Sequence, residues 1–178
     1  RMLYKLSRFS KVHNFLRLLS YSILQPIPVP IKYGIGYLTR KTRMPYKILT
    51  KGDTVIQIGA PSDILRAGRS RAIYFSKLVG NTGLVIVFEA DLNNVEQLNK
   101  FIKDYKIQNI KVIPIGAWNK PTNLRFLIND KHPASNLVQE VFDDDRTDIE
   151  DYRVVEIDVD SIDNVLSDMN VMNVELLS

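Results

Sequence analysis

Three features of the sequence predict an α/β domain built on a doubly wound, mostly parallel sheet. Three aliphatic runs, Thr54–Ile58, Leu84–Phe88 and Lys111–Ile115, begin 30 and 27 residues apart, the spacing of successive strand–helix–strand units. The segments between them carry apolar residues at helical spacing. The runs themselves are dense in Val and Ile, as suits strands covered on both faces, and right-handed crossovers then make neighbouring strands parallel.

The elements follow in order. Residues Val12 to Leu24 place Val12, Phe15, Leu16, Leu19 and Ile23 on one helical face with Lys11 and Arg17 on its flanks, which predicts an amphipathic helix. Arg17 and the prolines at 26, 28 and 30 interrupt it well before the ~20 apolar residues that a bilayer span needs. Two readings stay open for it: a basic interfacial helix on an anionic membrane, or a helix packed on the domain that follows. Pro26 to Pro30 is expected to be an extended connector, because proline restricts its own φ and its predecessor. Tyr33 to Tyr37, with glycines at 34 and 36, is expected to bend.

After the first strand, Arg69 to Val79 is expected to be a helix ending at Gly80, which tolerates positive φ. Asp91 is expected to cap a helix that buries Val95, Leu98, Phe101, Ile102 and Tyr105. Arg153 to Val159 is expected to be an extended edge strand with Asp158 and Asp160 on its polar face. Ser161 to Met169 is expected to be helical, and Val171 to Leu177 to be another buried strand.

Composition bounds the function. The 178 residues suit one domain. The absence of cysteine excludes a disulfide scaffold, a thiol nucleophile and Cys-ligated zinc. Two histidines leave little for a His-rich metal centre, and no metal site is expected. The net charge of +4 hides an asymmetry: residues 1–52 hold 11 Lys/Arg and no Asp/Glu, whereas residues 53–178 hold 13 Lys/Arg and 20 Asp/Glu. A nucleic-acid binder would spread its basic surface over the fold, so no nucleic-acid partner is expected. The chain divides into a basic, proline-containing segment, 1–51, and an α/β domain, 52–178. Its stop inside the apolar run before Ser178 leads us to expect a C-terminally incomplete sheet.

In such folds ligands bind beyond the carboxyl ends of the strands. Here those ends read Ile58-Gly59-Ala60-Pro61-Ser62-Asp63 and Phe88-Glu89-Ala90-Asp91. Gly59 lets a ligand approach the backbone, and a carboxylate at Glu89 can accept both hydroxyls of a ribose. No Gly-Lys pair supports a phosphate-binding P-loop, and Pro61 stands where the dinucleotide fingerprint has its second glycine. S-adenosylmethionine has no phosphates and asks less of the turn, so it fits best. NAD remains the alternative cofactor.

The order of segments Gly52–Ala60, Leu78–Asn94, Asn109–Trp118, Val155–Leu166 and Met172–Ser178 resembles the FkbM-type family of S-adenosylmethionine-dependent methyltransferases. The resemblance implies the class I methyltransferase fold and methyl transfer to a hydroxyl oxygen, often on a glycan or secondary metabolite. It places Gly59, Ala60 and Pro61 against the cofactor and Glu89 on its ribose. Ala90 and Asp91 would lie beside the adenosine, and Gly116, Ala117 and Trp118 near the adenine edge, with Trp118 also readable as a core aromatic. The family usually has an acid where Gln57 stands and a second glycine after the first. Asp63 could replace that acid and attract the sulfonium, or simply cap a turn. Arg66, Arg69 and Arg71 could meet an anionic acceptor or sit in a solvated loop.

No catalytic residue is assigned. His132 could act as a general base, but Asp130 to Pro133 is typical turn chemistry. The acidic run from Asp143 to Asp151 lacks the spacing of a calcium loop. The competing class is a non-catalytic α/β interaction domain that kept the fold and lost the turn. A cytoplasmic location is expected, with peripheral membrane contact through residues 1–51 left open.

Overall fold

The computed structural model describes residues 26–128, 137–138 and 153–178. The expected helix at Val12–Leu24, His132 and the acidic run lie outside them. Helix α1 (Val29–Arg40) has Pro28 at its cap and Pro30 in its first turn, where a missing N–H breaks no helical bond. The expected Pro26–Pro30 connector is therefore cut short at Pro28. The expected bend at Tyr33–Tyr37 is also corrected, because these residues are mid-helix. Gly36 is there for a contact, since a β-carbon at this position would collide with the Tyr74 hydroxyl.

Strands β1 (Thr54–Ile58), β2 (Leu84–Phe88) and β3 (Ile110–Ile113) run parallel with Ile56 opposite Ile86 and Phe88 opposite Ile113. A short helix α2 (Asp63–Arg66) and helix α3 (Arg71–Val79) join β1 to β2. Helix α4 (Leu92–Asp104) joins β2 to β3. Gly80 closes α3 at φ +66°, as its sequence position predicted. Asp91 caps α4 by accepting from the Asn93 amide at 2.9 Å.

The chain then enters a second sheet that sequence periodicity did not foresee. It contains β4 (Gly116–Trp118), β5 (Thr122–Ile128), β6 (Leu137–Val138) and β7 (Arg153–Ser161), in the order β4-β7-β5-β6. β7 is parallel to β4 and antiparallel to β5. It is thus an interior strand, which corrects the expected edge position. Its alternation arises because Ile157 and Val159 bury against Leu124 while Glu156, Asp158 and Asp160 lie on the other face. Helix α5 (Ile162–Asp168) leads to β8 (Leu176–Leu177), which pairs in parallel with β1. Only these two residues of the expected strand Val171–Leu177 are extended. Val171 and Val174 instead pack with α5.

The first sheet has the order β3-β2-β1-β8. Helices cover both faces, as the doubly wound prediction required. Val55, Val85 and Val87 pack with Phe75 of α3 and Leu98 and Phe101 of α4. Ile56, Ile86 and Phe88 pack under Ile162, Val165 and Leu166 of α5. Each aliphatic side chain buried in this way contributes about 1.5–3 kcal/mol. Tyr33, Tyr46 and Leu49 join the first of these clusters, so residues before Gly52 form part of the same core. Tyr105, expected to be buried, is 42% exposed and stacks on Phe101 at 4.4 Å instead.

Candidate functional site

β1 lies where the chain reverses direction across the sheet, with β2 on one side and β8 on the other. Ligands of such sheets sit outside the carboxyl ends of the strands at this switch point. β1 delivers Gly59 there at φ +77°, a conformation that a glycine reaches without strain. Nothing lies within 4 Å of the position a β-carbon would take, so the turn has an open flank. The Gly59 amide donates to the Phe88 carbonyl at 2.8 Å, which ties the turn to the end of β2.

Glu89 is the hub of the site. It is buried, and its Oε2 accepts from the Ala60 amide at 2.6 Å while its Oε1 accepts from the Asp91 amide at 2.9 Å. The Asn94 side chain adds a third hydrogen bond to the carboxylate, and Asn94 Oδ1 accepts from the Ser62 amide at 3.0 Å. Glu89 and Asn94 thereby staple the β1–α2 turn to the β2–α4 turn. Burial pushes the Glu89 carboxyl above its ordinary value, against the opposing pull of these donors. An ionised carboxylate has about four acceptor positions, so the three hydrogen bonds of the staple leave about one for a further donor.

Gln57 occupies the last inward position of β1 and is 5% exposed. Its Nε2 donates to the Gly59 carbonyl at 2.9 Å, which fixes the amide. Its Oε1 is buried without a partner, as is Ser178 Oγ. Both lie on the carboxyl ends of adjacent strands, since the Ile58 amide donates to the Ser178 carbonyl. A buried acceptor without a donor is rare in folded proteins, and here it stands beside the open glycine.

The structure brings Gly59, Ala60, Glu89 and Asp91 together. Pro61, half-buried, follows Ala60 in the same turn. Ala90 and Gly116 adjoin: a β-carbon on Gly116 would come within 3.7 Å of the Ala90 β-carbon and within 2.9 Å of Val159 Cγ1. Ala117 packs under Ile56, Ile86 and Phe88, and Trp118 packs beside Leu124, Ile157 and Val159. Asp63 is exposed. It lines a cavity of about 430 Å³ with Arg66, Lys100 and Tyr105. A second cavity, of about 300 Å³, opens between Ala90 and Asp91 on one side and Arg153, Glu156 and Asp158 on the other. Neither of these two cavities has Gly59 or Glu89 in its wall. Arg71 lies with its guanidinium 5.6 Å from the Phe75 ring. Among the described residues no acidic or histidine cluster could hold a metal ion.

Sequence reasoning missed Asn94. The signal was present in the spacing: Asn94, Leu98 and Phe101 share one helical face, and an Asn on an otherwise apolar stripe needs a buried partner.

No protein-family model and no curated protein matches the chain. Among solved structures it is similar to a protein-L-isoaspartate O-methyltransferase, at 27% identity and a TM-score of 0.34 over 39% of this chain and 20% of that one. It is similar to a putative rRNA-methylase from Clostridium thermocellum at 20% identity and a TM-score of 0.35, over 47% and 41% of the two chains. A SAM dependent methyltransferase from Aquifex aeolicus matches at 23% identity and a TM-score of 0.33, over 43% and 40%. The chain thus spans less than half the length of each of these proteins.

Proposed function

We propose that the chain is the cofactor-binding part of an S-adenosylmethionine-dependent methyltransferase that acts in the cytoplasm on a hydroxyl oxygen of a glycan or secondary metabolite. The observation that carries this reading is the open flank of Gly59 next to the Glu89 carboxylate, at the switch point of a parallel sheet. The bound cofactor would supply an electrophilic methyl group on a sulfonium. Gly59 would let it lie against the backbone, and the remaining acceptor position of Glu89 would take one of its ribose hydroxyls. The unpartnered Gln57 Oε1 suits a cationic ammonium or sulfonium, because it offers a fixed dipole in a buried setting. It would take over part of the role that an acid plays in the FkbM-type family. Ala90, Asp91 and Gly116 would flank the adenosine. The hydroxyl acceptor rests on the resemblance of the ordered segments from Gly52 to Ser178 to that family.

Calorimetric titration with S-adenosylmethionine, with NAD as the comparison ligand, tests the reading. Binding of S-adenosylmethionine that weakens at least tenfold in Glu89→Ala is the expected result. Binding of NAD alone would reassign the cofactor.

A second reading, a non-catalytic α/β interaction domain, is favoured by one observation. Glu89 already spends both oxygens on backbone amides. That reading predicts that the folded chain binds neither ligand.

A further inference from the structure

Helix α1 has two opposite faces, and among the described residues only one packs on the fold. Tyr33 and Gly36 face inward, with Tyr33 at 2% exposure among the aromatics of the core. On the opposite side Ile31, Ile35 and Leu38 are 52%, 51% and 62% exposed. At about 100° per residue these three fall within about 60° of the helix circumference. Met44 and Ile48, in the segment that follows the helix, are also 62% and 47% exposed. An exposed aliphatic stripe on a helix is the kind of surface that meets a protein, a membrane or a ligand.

The charges around the stripe decide among these. Between residues 26 and 52 the sequence has Lys32, Arg40, Lys41, Arg43, Lys47 and Lys51 and no acidic residue. Lys32 and Lys41 border the stripe on its two sides. The Lys32 ammonium donates to the Arg66 carbonyl at 3.2 Å, and that of Lys41 stands 5.9 Å from the Tyr37 ring. Arg43, Lys47 and Lys51 are exposed. A polyanion such as RNA would be met by cations and stacking rings at the centre of the patch. Here the centre is aliphatic and the cations form the margin, the layout of a helix lying in a membrane interface.

We propose that the outer face of α1, with Met44 and Ile48, docks on an anionic lipid bilayer, with Ile31, Ile35 and Leu38 entering the acyl boundary and the flanking lysines and arginines meeting lipid phosphates. No helix among the described residues is long and apolar enough to cross a membrane, so the contact is peripheral. It does not depend on the cofactor reading.

Flotation of the full chain with vesicles of equimolar phosphatidylserine and phosphatidylcholine, and with phosphatidylcholine alone, tests the proposal. The wild type should float with the anionic vesicles. The double variant Ile35→Gln/Leu38→Gln should bind about tenfold more weakly, given the apolar area withdrawn, with an unchanged melting temperature. Lys41→Glu/Lys47→Glu should lose at least as much, at about fivefold per engaged cation. Three results would overturn the proposal. Vesicle binding that survives both double variants would be carried by other residues. A marked fall in melting temperature in the Ile35/Leu38 variant would mean that the face is covered by the chain itself. Retention of poly(U) RNA without vesicle binding would assign the patch to nucleic acid.

Discussion

Replacing Glu89 by Gln tests the staple at the heart of the site, because the change keeps the shape and removes one acceptor. In the wild type, separate backbone amides aim at the two carboxylate oxygens, at 2.6 and 2.9 Å. A glutamine can meet one of them with its oxygen but turns its NH2 toward the other. One buried donor is then orphaned, at a cost of about 1–3 kcal/mol. The pH dependence gives a sharper reading than the size. Burial raises the Glu89 carboxyl above 4.5, so the fold favours the protonated form. Its contribution is complete below the unfolded-state value and is lost as pH rises through the raised folded-state value. In urea titrations from pH 4 to 8, the stability gap between wild type and Glu89→Gln should therefore be largest at the acidic end and narrow as pH rises. Other carboxylates titrate in both proteins and cancel. A gap that widens with pH would show that the amide donors outweigh burial and would refute the reasoning. No gap at any pH would mean that the staple does not form.

Two further substitutions separate backbone geometry from packing. Gly59→Ala meets no neighbour but is held at φ +77°, so it should lose about 1 kcal/mol of stability, read from the urea midpoint. Within α1, Gly36→Ala and Gly34→Ala should move stability in opposite directions. Alanine at 34 meets nothing within 4 Å and should gain up to ~1 kcal/mol of helix propensity. Alanine at 36 meets the buried Tyr74 ring, which is held by the Gly68 carbonyl and Arg40, and should cost about 1–3 kcal/mol. Thermal melts of the pair suffice, and a stabilised Gly36→Ala would show that Tyr74 yields.

How far the sequence foretold this molecule depended on whether a feature was local. The three parallel strands were legible as aliphatic runs, and the ends of α3 and α4 as Gly80 and Asp91, because capping and burial on both faces leave marks within a few residues. Tyr33 to Tyr37 was misread because Gly36 answers to Tyr74, far along the chain. The second sheet was hidden for a similar reason: β7 becomes an interior strand only once β5 and β4 lie on its two sides. At the site, Gly59 and Glu89 were visible as residues at strand ends, and Gln57 as a departure from an acid. The part played by Asn94 was not visible. Its hydrogen bonds reach Glu89 and Ser62, and Ser62 lies 32 residues away.

The pairing of β1 with β8 also bears on how the protein is made. Thr54 and Glu175, bonded to one another at the start of this pairing, are 121 residues apart. At about 5–20 residues per second, synthesis reaches β8 some ~6–24 s after β1. Throughout that interval one side of β1 has no strand to bond, and Ile56 lacks the cover of α5. One side of the strand that carries Gly59 is therefore open to wrong pairing in the nascent chain until β8 is made.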